Sequence, residues 1–288
     1  MKSFNIIITL AVIITTNCFG QTTNGKVSSL VAAENYFAAI VKEEGLREGF
    51  LKVSDRETVV FRPSPVKAEE FYDKKQIDPG VLSWEPAFAR ISRSGTWGFT
   101  TGPYVYTTNT DGSKSYGQYF SVWRANNKGV WKLALDIGTP HSKPSKEPNL
   151  DFTDPENVRF FRQISPTRLK QREDMIMASD KLLASALKKS TVLGYDTFLG
   201  DDARLIFPGV EPIVGKENIT KFLIEKNVNI FSEPIDADRS IGSDLAYSYG
   251  SAQVTQNDKT SKYNYVRVWE SQEGFKWNII LELFSPAE

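Results

Sequence analysis

The stretch Gly95–His141, GTWGFTTGPYVYTTNTDGSKSYGQYFSVWRANNKGVWKLALDIGTPH, decides the fold. It reads as three antiparallel strands, Trp97–Thr107, Tyr116–Arg124 and Val130–Ile137. The breaks between them are Asn109-Thr110-Asp111-Gly112, where Asp-Gly marks a hairpin, and Asn126-Asn127-Lys128-Gly129. A weaker copy follows at Asp244–Pro286. Tyr119, Val122, Trp123, Trp131 and Leu135 fall over Tyr265, Val268, Trp269, Trp277 and Leu281, each pair offset by 146. Phe61 and Phe207 keep that offset, and Gly49 and Gly194 lie 145 apart. A single offset held over tens of residues means a duplicated domain, because a solenoid repeat would recur many times.

Each copy has the same order of parts: a long helix, a short second helix, a brief strand, a third helix, then a run of strands. That order predicts an α+β fold, with helices packed on one face of an antiparallel sheet. In the first copy Leu30, Ala33, Phe37, Ile40 and Val41 fall at helical spacing, Arg47–Val53 follows as the short helix, and Val81–Ser92 reads as one strand. In the second, the long helix spans Arg168–Lys189 with a stripe of Met175, Ala178, Leu182, Ala186 and Lys189. The expected organisation is a domain over residues 28–140, a proline-rich linker over 141–167 and a second domain over 168–288. Within the linker, Val158, Phe160 and Phe161 are expected to dock on a domain.

Of 288 residues, 40% are hydrophobic and 12% aromatic, enough for two packed cores. Basic and acidic residues balance at 35 each, which gives no ground for a nucleic-acid partner or an anionic membrane surface. Residues 1–20 read as a signal peptide: Lys2, an apolar run over Phe4–Ile14 too short to span a bilayer, then small residues to a cleavage site after Gly20. The chain is therefore expected to be exported, periplasmic or secreted, with no integral membrane segment after cleavage. An uncleaved anchor and lipidation at Cys18 stay open, although Thr15-Thr16-Asn17 lacks the residues of a lipobox. Cleavage would remove the only cysteine.

The segment YGQYFSVWRANNKGVWKLALDIG, Tyr116–Gly138, resembles the last two strands of SnoaL-like domains in the nuclear transport factor 2-like superfamily. Trp84-Glu85-Pro86 and Gly98–Pro103 are similar to an exported bacterial branch of unknown function, and YNYVRVWESQEGFKWNIILEL carries the pattern in the second copy. The resemblance implies two cone-shaped, cystatin-like domains, each a curved sheet wrapped around about three helices and often open at one end as a pocket. Relatives include isomerases, dehydratases, cyclases and non-catalytic modules, so fold alone gives no function.

The candidate chemistry is therefore argued from residues. Asp136 and Glu282 take equivalent places on the final strands, and period-two alternation sets Ala134 and Asp136 on one face, opposite Leu133 and Leu135. A carboxylate in an apolar cone could serve as a general base, and His141, the only histidine, is a candidate partner. The structural alternative is a carboxylate bound to an arginine or backbone N–H groups. Trp84, Tyr104, Tyr106 and Tyr119 in the first domain, and Tyr247, Tyr249 and Glu282 in the second, are candidate ligand-binding residues. One histidine and one cysteine argue against a zinc site, and no phosphate-binding loop, dinucleotide fingerprint or nucleophile elbow appears, so no metal or cofactor is expected. Three readings follow: a small-molecule binder, an isomerase- or dehydratase-type enzyme acting through Asp136, and an assembly module in which the sheets pair as a homodimer or as a pseudo-dimer within one chain.

Overall fold

The computed structural model describes residues 22–74, 80–163 and 165–287. The expected signal peptide and Cys18 lie outside the described residues, among which no helix is long and apolar enough to cross a membrane. The first half runs α1 (Val27–Glu44), α2 (Leu46–Val53), β1 (Val59–Phe61), β2 (Pro65–Lys67), α3 (Ala68–Lys74), β3 (Gly80–Trp84), β4 (Phe88–Ile91), β5 (Trp97–Thr108), β6 (Lys114–Ala125), β7 (Trp131–His141) and β8 (Asp151–Thr153). The second runs α4 (Pro166–Lys189), α5 (Thr191–Phe198), β9 (Leu199–Ile206), β10 (Ile213–Val214), α6 (Lys216–Glu225), β11 (Val228–Arg239), β12 (Leu245–Gln256), β13 (Lys259–Ser271) and β14 (Trp277–Pro286). Each half is an α+β cone, its sheet closing around α1–α3 or α4–α6.

The sheets are ordered β2-β1-β7-β6-β5-β4-β8, with β3 also on β5, and β10-β9-β14-β13-β12-β11. Both are mostly antiparallel, and β1 on β7 and β9 on β14 are parallel. The single strand expected over Val81–Ser92 is two. Pro86 has no N–H to donate to a ladder, so the chain leaves β5 after Trp84 and rejoins it at Phe88. Gly102 makes room for that excursion, since a Cβ there would lie 1.9 Å from the Glu85 carbonyl oxygen.

The predicted stripe of α1 is buried, and Glu34 is buried within it. On α4 the stripe is different. Its buried residues are Ile176, Asp180, Leu183 and Leu187, while Met175 and Leu182 are exposed. Counting apolar residues favours the wrong face here, because the true one carries an aspartate.

A β-bulge sets the phase of the last strand in both halves. Val122 pairs with Leu135 and Trp123 with Leu133, so Ala134 is the extra residue. Val268 pairs with Leu281 and Trp269 with Ile279, leaving Ile280 extra. Such an insertion reverses side-chain alternation beyond it. Leu133 therefore joins the cone core of the first half, while Ala134, Leu135 and Ile137 face outward and Asp136 faces the cone. The expected pairing of Ala134 with Asp136 on one face fails for that reason.

The outer faces of the two sheets pack against each other. Phe61, Phe99, Phe120 and Leu135 from one half share a buried apolar cluster with Tyr247, Tyr249, Val268 and Leu283 from the other. Polar contacts border it: Ser92 Oγ donates to Asp244 Oδ1 (2.5 Å) and Ser285 Oγ to the Gly138 carbonyl (2.7 Å). The connecting segment is structured in part. Its β8 adds to β4 in parallel, and Asp151 at its start bridges Arg90 of the first half (2.8 Å) and Arg204 of the second (3.1 Å). The expected docking of Val158, Phe160 and Phe161 is not found. All three are exposed, Phe161 at 77%, because the anchoring is done upstream by the strand and its ion pairs.

Candidate functional site

The cone of the first half encloses a cavity of about 380 Å³. Its walls include Phe37 on α1, Phe50 on α2, Tyr72 on α3, Trp84 on β3, Tyr104 and Tyr106 on β5, Tyr119 on β6 and Asp136 on β7. All five candidates named for this domain's interior, Trp84, Tyr104, Tyr106, Tyr119 and Asp136, thus meet at one place. The Tyr104 side chain packs against the opposite strand, where Gly117 admits it: a Cβ there would sit 2.4 Å from the ring.

Beneath the cavity floor is a carboxylate the sequence reading missed. Glu34 is fully buried and accepts three hydrogen bonds, from Trp84 Nε1 (2.6 Å), Trp123 Nε1 (2.7 Å) and Thr100 Oγ1 (2.5 Å). Burial pushes its carboxyl up from 4.5 to about 7, against the pull of those three donors. Burial, with the nearby Glu34 charge, also raises the Tyr119 hydroxyl well above its usual value.

Asp136 is held on both oxygens, by Arg62 Nη2 (2.8 Å) and by Ser121 Oγ (3.3 Å). Arg62 also donates from Nε to the Tyr72 hydroxyl (3.1 Å) and from Nη1 to the Phe61 carbonyl (2.7 Å), and it lies over the Phe50 ring. The polar end of the cavity is an ion pair built into an aromatic wall.

The second cone carries the same positions with different contents. The offset of 146 equates Glu34 with Asp180, and the strand ladders equate Trp84 with Ser232, Tyr104 with Ala252, Ser121 with Arg267 and Asp136 with Glu282. Arg267 is fully buried. It pairs with Asp180 through Nη1, with Glu282 through Nε (2.8 Å) and with Ser232 through Nη2 (3.3 Å), and its guanidinium sits 3.9 Å over the Tyr265 ring. Where the first half has a serine and an open space, the second has an arginine filling it. Glu282 is thus part of a buried ion triad, and burial raises its carboxyl despite Arg267.

Two groups of candidates lie elsewhere. His141 is five residues beyond Asp136 on β7, and an odd separation on a strand puts two side chains on opposite faces. It is buried on a separate cleft at the domain junction with Gln118 and Arg204, and Nδ1 lies 2.6 Å from the Ser142 carbonyl. The proposed Asp136–His141 pair does not form. Tyr247 and Tyr249 lie outside the second cone. Tyr247 stacks on Trp97 (6.3 Å) and Tyr249 meets Phe61 edge-on (5.5 Å) across the sheet interface. Their ladder equivalents in the first half are Phe99 and Thr101, not Tyr104 and Tyr106.

Among the described residues no group of three or more His, Cys, Asp or Glu side chains could hold a metal ion. Glu34 and Asp180 had a signal in the sequence: each is the acidic residue at i+4 and i−3 from apolar positions of its helix stripe. Arg62 had none beyond its place next to prolines.

No family model matches the chain, and no curated protein does. Solved structures do. A ketosteroid isomerase-like protein from Erwinia carotovora atroseptica is 15% identical, covers 41% of this chain and 98% of its own, with a TM-score of 0.37. An NTF2-like protein from Cytophaga hutchinsonii is 21% identical, covers 39% and 96%, with a TM-score of 0.34. An NTF2-like protein with a cystatin-like fold from Novosphingobium aromaticivorans is 10% identical, covers 42% and 84%, with a TM-score of 0.33.

Proposed function

We propose that the first cone binds a small, largely aromatic or apolar molecule, and that the second cone is a scaffold with no site of its own. The observation that carries this reading is the exchange of Ser121 for Arg267: one interior is left open beside aromatic walls, and the other is filled by a guanidinium. An aromatic cavity with few polar groups suits a ligand whose rings stack and whose single polar group meets Arg62 or Tyr104. An isomerase-type reading finds less support, because both Asp136 oxygens are engaged and no histidine faces them. Export through residues 1–20 remains part of the proposal, and intact mass of the protein from its own host checks it: the mature chain begins at Gln21.

Native mass spectrometry of that mature protein, followed by calorimetric titration with aromatic ligands, tests the binding. A saturable one-to-one complex is expected. The double variant Trp84→Ser/Ser121→Arg, which copies the second cone's contents, abolishes it, and Tyr104→Ala weakens it at least tenfold. Binding unchanged by both would place the ligand outside the cone and end the proposal.

A further inference from the structure

We propose that a cleft between the two halves, at the β6–β7 turn, binds the dianionic phosphoryl group of a phosphomonoester. The inference is independent of the cone and uses other residues. The cleft has a volume of about 530 Å³ and is lined by Trp97 and Arg124 from the first half, Arg172 and Arg239 from the second, and Arg162 from the connecting segment. Four guanidiniums face two carboxylates there, Glu173 and Asp238, an excess of two positive charges. Asp238 is already engaged with Arg124 (3.3 Å), and Glu173 with Lys170 (3.6 Å).

Two of the remaining arginines use neutral acceptors. Arg172 Nη1 donates to Ser243 Oγ (2.8 Å), and Arg239 Nη1 to the Arg172 carbonyl (3.2 Å). These bonds fix the side chains through neutral groups, and the carboxylates acting on Arg239, Asp244 and Glu173, are outweighed by burial and Arg172. Two buried N–H donors on the cleft lack a partner. One is Arg239 Nε, and the other is the indole Nε1 of Trp97, a side chain only 2% exposed. The indole lies near the Asp238 carboxylate without closing a well-formed hydrogen bond. Buried donors without acceptors are rare in folded proteins. Here two of them occur beside like charges held together. Burial and the adjacent Arg172 charge push the Arg239 guanidinium down to about 10, the direction an anion would reverse.

Charge and shape select the ligand class. A phosphomonoester carries about −1.5 to −2 at pH 7 and offers three acceptor oxygens, matching the excess charge, whereas a monocarboxylate would leave about half of it. Planar guanidinium forks suit tetrahedral oxyanions, which they bind in bidentate fashion.

Isothermal titration calorimetry on the mature chain at low ionic strength, with inorganic phosphate and glycerol phosphate as probes, tests the site. Saturable one-to-one binding is expected, weakened at least tenfold by Arg172→Gln and by raised salt. Glu173→Gln, which removes a negative charge from the wall, tightens it severalfold, and Tyr104→Ala leaves it unchanged. No heat with millimolar probe, an affinity for acetate equal to that for phosphate, or indifference to both Arg172→Gln and Glu173→Gln would overturn the proposal.

Discussion

Arg267→Met is expected to destabilise the protein by about 3–5 kcal/mol, because it strands two carboxylates in a dry interior. Arg267 and Asp180 are fully buried and Glu282 is 1% exposed, so no solvent replaces the lost partner. The substitution also removes the guanidinium from the Tyr265 ring. Against a typical domain stability of about 5–15 kcal/mol this is a large fraction. The deficit narrows as pH falls, because a protonated carboxyl costs less to bury than a charged one. Adding Asp180→Asn and Glu282→Gln to Arg267→Met removes the uncompensated charges and recovers at least half of the loss. Urea denaturation of the single and triple variants measures both. A single-variant cost below about 1 kcal/mol, the range of an exposed pair, would mean that the triad is not dry.

Glu34→Gln is expected to flatten the pH dependence of stability between about pH 4.5 and 7. The folded protein raises this carboxyl to about 7 from 4.5, chiefly by burial. The folded state therefore binds a proton that the unfolded state has released across that window. Stability from this group is full below the unfolded value and is lost as pH rises through the folded one. At about 1.4 kcal/mol for each unit, the loss is about 3 kcal/mol by pH 8. Glutamine does not titrate, and its one carbonyl oxygen can stand where Oε2 accepts from Trp123 and Thr100, while Trp84, which donates to Oε1, loses its acceptor at any pH. The stability of Glu34→Gln relative to the parent should therefore improve by about 2.5 kcal/mol from pH 5 to pH 8. Equal slopes for both proteins in denaturation at the two pH values would show that Glu34 does not change its charge there.

The architecture was legible because large residues carry it. Trp123, Trp131, Trp269 and Trp277 fill cores, so the duplication appears at one offset, and Asp111-Gly112 marks its turn plainly. The wall of the first cavity was legible for the same reason: Trp84, Tyr104, Tyr106 and Tyr119 are the amphipathic aromatics on one face of curved strands. What escaped the reading was polar or phase-dependent. Glu34 and Asp180 sit inside apolar stripes, and scoring hydrophobicity alone discards them, moving the stripe on α4 to Met175 and Leu182. The bulge at Ala134 leaves no mark in composition, yet it decides which side of β7 faces the cone. Tyr247 and Tyr249 take the ladder positions of Phe99 and Thr101, five residues short of Tyr104 and Tyr106, and that odd step turns them to the other face of the sheet. Arg62 reaches Asp136 across 74 residues of chain, a contact that only the folded β1–β7 pairing brings about.

The face-to-face burial of the two sheets has a consequence for how the interiors could diverge. In an assembly of two identical chains every substitution is made twice, so a residue that fills one interior fills both. Here the two partners share one polypeptide, and a serine in one half can stand against an arginine in the other. Tethering releases the pair from symmetry: one member can be specialised for rigidity while the other keeps its hollow.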